Sequence, residues 1–99
     1  MHCMADELKK KVEKYAALTE KALGKIKIRQ NLNAENLAIA NDFLQMARNY
    51  FSDAKHFAEK GDLLTALAAF SYAHAWLDAG VRAKLFDAQG DSKLFILPK

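Results

Sequence analysis

The chain has 99 residues, 52% of them hydrophobic, with fifteen Lys and Arg against twelve Asp and Glu and a formal net charge of +3. That length suits one domain with a core of its own, and the charge balance is far from that of a strongly basic nucleic-acid-binding protein. One proline and four glycines in an alanine-rich chain argue against disorder and against an all-β fold, and favour helices.

Cys3 is the sole cysteine, so no disulfide forms within the chain, which fits a reducing compartment. The opening MHCMADELKKK has no apolar segment of signal-peptide length, and no run approaches the ~20 apolar residues of a membrane span. The expectation is a soluble, cytoplasmic protein that does not enter a membrane. Its charge is uneven. Residues 1–33 hold Lys9, Lys10, Lys11, Lys14, Lys21, Lys25, Lys27 and Arg29 against Asp6, Glu7, Glu13 and Glu20, and the rest is close to neutral.

A first helix is predicted over about 5–28. Asp6 is a suitable N-cap, and Leu8, Val12, Tyr15, Thr19, Ala22 and Ile26 recur at helical spacing on one face. Gly24 weakens its last turns by roughly 1 kcal/mol relative to Ala. Gln30-Asn31-Leu32-Asn33 is the connection, and Asn33 can cap a second helix over about 34–60. In that helix Leu37, Ala40, Leu44, Ala47, Phe51, Ala54 and Ala58 form one stripe. Ile39, Phe43, Met46, Tyr50 and Phe57 form a second stripe beside it, so the apolar face is broad enough for two neighbours.

Gly61 offers a left-handed C′ position and Asp62 an N-cap, which predicts a tight turn into an antiparallel third helix over about 63–86. Leu63, Leu67, Phe70, His74, Leu77, Val81 and Leu85 mark its core stripe, and alanines fill much of the rest. Residues 87–99 then read as a turn followed by an extended tail whose Leu94-Phe95-Ile96-Leu97 must pack on something. The expected fold is all-α: a single domain forming a three-helix antiparallel bundle with an extended C-terminal tail.

Tyr72 and Trp76 fall roughly opposite the core stripe of the third helix. Either the tail covers them, or they form with Phe95 a surface for a second copy or another protein, as residue types enriched at binding hot spots. His74, Asp78 and Arg82 form a polar cluster on the same helix. A histidine on a core stripe is more often a hydrogen-bonded packing residue than a ligand. Asp78, one turn on, could hold its ring like half of a dyad, but no Ser or Cys completes it. His2, Cys3, His56 and His74 have no metal-ligand spacing, so no metal or cofactor is expected.

Lys10, Lys14, Lys21 and Lys25 share a face of the first helix. The plain reading is a solvated face. Nucleic-acid or nucleotide binding there is the weaker alternative, because the aromatics lie elsewhere.

The run GDLLTALAAFSYAHAWLDAGVRAKLF, preceded by YFSDAKHFAEK, resembles a small archaeal family known as domain of unknown function 357. Tyr50, Asp53, Ala54, Phe57, Gly61, Asp62, Tyr72, Ala73, His74, Trp76, Leu77, Asp78 and Ala79 carry the likeness over about a third of the chain. The resemblance implies an archaeal source, a three-helix bundle like spectrin or albumin-binding domains, and no assigned activity. The hairpin also resembles one tetratricopeptide unit, though a single copy is not an array. A likeness to the HEPN helical domains would favour nucleotide or RNA binding. Their ribonucleases carry Arg, four to six residues, then His, whereas seven residues lie between Arg48 and His56. The expected function is therefore a non-catalytic interaction module.

Overall fold

Three helices and a two-residue β-ladder make up residues 4–95, which the computed structural model describes. They are α1 (Met4–Lys25), β1 (Lys27–Ile28), α2 (Ala34–Glu59), α3 (Leu63–Arg82) and β2 (Phe86–Asp87). The all-α three-helix bundle is as the sequence implies. The ladder is additional.

The α2–α3 hairpin is the frame. Asn33 Oδ1 accepts the Asn36 N–H at 2.7 Å to start α2, and Asp62 Oδ1 accepts the Thr65 N–H at 3.3 Å to start α3. Between them Gly61 takes φ 83°. The Asp62 N–H then reaches the Phe57 carbonyl and the Gly61 N–H that of Ala58, a Schellman ending. Ala40, Ala47 and Ala54, seven apart on α2, are fully buried, as are Ala66 and Ala73 on α3. Small residues at this spacing let the two axes approach closely, and the hairpin pair is the most extensive contact in the molecule.

α1 lies mainly against α3 and least against α2. It inserts Val12, Thr19 and Ala22. Against them stand Phe70 and Leu77 of α3, both at most 1% exposed, and Phe51 of α2, whose ring meets Phe70 edge-on at 5.5 Å. The molecule measures 53 × 24 × 18 Å. Its short dimension holds two helix layers at the usual spacing of roughly 8–10 Å. α2 and α3 form one layer and α1 the other, so the hairpin has a covered face and an open one.

Two helix ends and the tail depart from expectation. α1 stops at Lys25 rather than near 28, because Lys27 and Ile28 pair antiparallel with Asp87 and Phe86. α3 stops at Arg82 rather than 86. Lys84 turns left-handed at φ 62°, and the Leu85 N–H bonds the Gly80 carbonyl while the Lys84 N–H bonds that of Val81. This is a second Schellman ending, made without glycine. It folds Phe86 back over Gly80, where a Cβ would stand 2.1 Å from the Phe86 ring.

The tail is not extended at Leu94–Phe95. Asp91 Oδ1 accepts the N–H groups of Lys93 and Leu94, and the Phe95 N–H reaches the Asp91 carbonyl, closing a single helical turn. Asp91 Oδ2 also meets Lys25 Nζ at 3.1 Å, and Gln89 Nε2 donates to the Lys25 carbonyl, capping the end of α1. The Lys25 ammonium, then the Leu94 N–H, hold the Asp91 carboxyl below the usual carboxylate range. Ile96 and Leu97 lie outside the described residues.

Candidate functional site

The open face of α3 follows directly from its sequence. Seven of its residues, from Ala66 to Val81, are buried toward α1 and α2. The solvent side carries Leu64, Thr65, Ala68, Ser71, Tyr72, Ala75 and Ala79, with Arg82 at its end. No charge interrupts it from Leu64 to Ala79. The exposed sides of the other helices differ: α1 presents Lys10, Lys14, Glu20 and Lys21, and α2 presents Asp42, Arg48, Asp53 and Lys55.

Tyr72 is 59% exposed and Leu64 70% exposed. Tyr72 lies stacked on Tyr50 of α2, with centroids 5.3 Å apart. Trp76 is half-buried, its ring edge-on to Phe43 at 5.0 Å. Two shallow apolar depressions flank Tyr72. One, about 310 Å³, is lined by Tyr50, Trp76 and Ala79, and the other, about 390 Å³, by Ala68, Ser71 and Ala75. Ile39 of α2 is 39% exposed.

Of the predicted surface trio, Tyr72 alone is strongly exposed. Trp76 is half-buried and packs edge-on against Phe43 of α2. Phe95, expected beside Tyr72 and Trp76, is 3% exposed and belongs to the core instead. The tail docks beside His74 instead, on the side of α3 that meets α1. Leu37 and Tyr15, expected in the core, are 43% and 37% exposed, because α1 covers little of α2.

His74 is half-buried at the α1–α3 seam. Its Nε2 faces the Leu94 carbonyl, which can only accept, so this nitrogen carries the proton. In the neutral ring Nδ1 then accepts from the Thr19 hydroxyl at 3.2 Å. Thr19 is fully buried, and the histidine satisfies it. Thr19 and the Leu94 carbonyl take up the two ring nitrogens. Asp78 lines a recess of about 230 Å³ with His74, Tyr15 and Ser92, while Arg82 is exposed. Thr19 was legible as a polar member of an apolar stripe, but its partner was not.

The basic face is looser than its spacing suggests. Lys10, Lys14 and Lys21 are exposed, whereas Lys25 is engaged by Asp91. Among the described residues, no helix is long and apolar enough to cross a membrane.

Fold and surface together define a small antiparallel helical bundle with one apolar helix face exposed among the described residues. A family described as protein of unknown function, DUF357, matches residues 14–86, and the chain belongs to that family. No curated protein and no solved structure matches it.

Proposed function

We propose that this protein is a non-catalytic helical interaction module that docks a protein partner through the outer face of α3, centred on Tyr72. The carrying observation is an exposed helix face without charge over four turns, holding a tyrosine that is 59% exposed. Solvated helices normally place charged and polar residues there, as α1 and α2 do. A contiguous apolar patch with an aromatic at its centre is the pattern of a contact site. Trp76 serves as the floor of this surface. Trp76→Ala therefore lowers stability as well as binding, and Tyr72 is the cleaner probe.

The test is site-specific photocrosslinking in the native host, with the photoreactive residue at Ala75 or, as a control, at Lys14. A discrete protein adduct from Ala75 that is absent from Lys14 is expected. Adducts from Lys14 alone, to protein or to RNA, would move the site to the basic face of α1 and overturn the proposal.

A further inference from the structure

We infer that the partner on this face is a second copy of the chain, packed antiparallel across α3 about a two-fold axis between Ser71 and Tyr72. The inference rests on the docking reading above and supplies its occupant. A two-fold at that point sets Ala68 opposite Ala75 of the other copy, Leu64 opposite Ala79, and Tyr72 opposite Ser71. Each large side chain meets a small one. The contact is self-complementary, as a two-fold interface must be.

Charge points the same way. The stretch from Leu64 to Ala79 requires an equally uncharged partner surface, and among the described helices only α3 itself presents one. Asp62 stands at one end of the face and Arg82 at the other, both exposed. An antiparallel pair brings each Arg82 to the level of the other copy's Asp62 and opposes the two helix dipoles. A parallel pair would set Arg82 beside Arg82 and Asp62 beside Asp62. Ala68, Ala75 and Ala79 keep small residues on either side of the Tyr72–Ser71 pair at the crossing, as Ala47 and Ala73 are small within the hairpin. One packing mode thus serves both sides of α3.

Light scattering on the full chain should give twice the 11.1 kDa chain mass. Ala75→Arg, at an exposed position, should keep the melting temperature measured for the monomer and raise the dimer Kd about tenfold or more. Register is tested by cysteines in a Cys3→Ser background. Chains with Ala68→Cys mixed with chains with Ala75→Cys should form a disulfide-linked pair. Either variant alone should not, since like positions lie about 10 Å apart along the axis, beyond disulfide reach. A monomeric mass at about 1 mM chain, where even a millimolar Kd populates dimers, overturns the second copy as occupant. So does equal cross-linking of Ala68→Cys with itself. If the chain is monomeric while Ala75 photocrosslinks to a protein of another mass, docking stands and self-association falls. If Ala75 gives no adduct at all, both fall.

Discussion

The two sides of α3 hold similar residues and meet different surroundings. Inward lie Ala66, Ala69, Phe70, Ala73, Leu77, Gly80 and Val81, all buried. Outward lie Leu64, Ala68, Tyr72, Ala75 and Ala79, all exposed. Composition does not separate the sides, since each of these sets holds three alanines beside large apolar groups. Layer geometry does. Two layers cover one side of the hairpin, and a third would be needed for the other. An apolar helix surface therefore states a demand for cover, and the rest of the chain decides whether it is met.

Substitutions on the two sides should separate accordingly. Leu77 is fully buried, and Leu77→Ala should cost about 3 kcal/mol in urea unfolding, the scale of a core leucine deletion. Tyr72→Ala should cost less than about 1 kcal/mol in the monomer, because the ring loses a stack on Tyr50 and little burial. Equal losses would make Tyr72 a core residue and leave α3 with no open side.

A smaller effect tests how the covered side is closed at its end. Phe86 is 2% exposed and occupies the space a Cβ on Gly80 would need. Gly80→Ala should destabilise by about 2 kcal/mol, as overpacking does, despite the better helix propensity of alanine. Combined with Phe86→Leu, which removes ring atoms, the loss should be less than the sum of the two single changes. Strict additivity in that cycle would show that the ring and the glycine do not share the site.

Much of this was legible in the sequence. Helical periodicity placed α2 to within a residue or two, and Asn33, Gly61 and Asp62 announced the caps they form. Tyr72 was legible as a residue facing away from the core. What escaped depends on contacts between distant segments. Phe95 and Leu94 find His74, Gln89 finds the end of α1, and Phe86 finds both Gly80 and Ile28. No local pattern encodes those pairings. Leu37 and Tyr15 misled for the same reason, since their stripes are apolar and α1 crosses too little of α2 to bury them.

The end of α3 misled for a different reason, and it gives the smallest and most local prediction. Both α2 and α3 end in the same hydrogen-bond pattern, one with Gly61 at φ 83° and the other with Lys84 at φ 62°. Glycine announces such an ending and lysine conceals it, so the apolar pattern through Leu85 and Phe86 read as continued helix. The left-handed conformation costs an L-residue roughly 1–2 kcal/mol, partly offset by the greater freedom glycine gives the unfolded chain. Lys84→Gly should therefore stabilise by about 0.5–1 kcal/mol, and Gly61→Ala should destabilise by a similar amount. No Cβ clash arises at Gly61, so backbone conformation alone sets that cost. If Lys84→Gly lowers the unfolding free energy instead, the lysine side chain stabilises the turn by more than its strain. The two endings would then be alike in hydrogen bonding and different in energy.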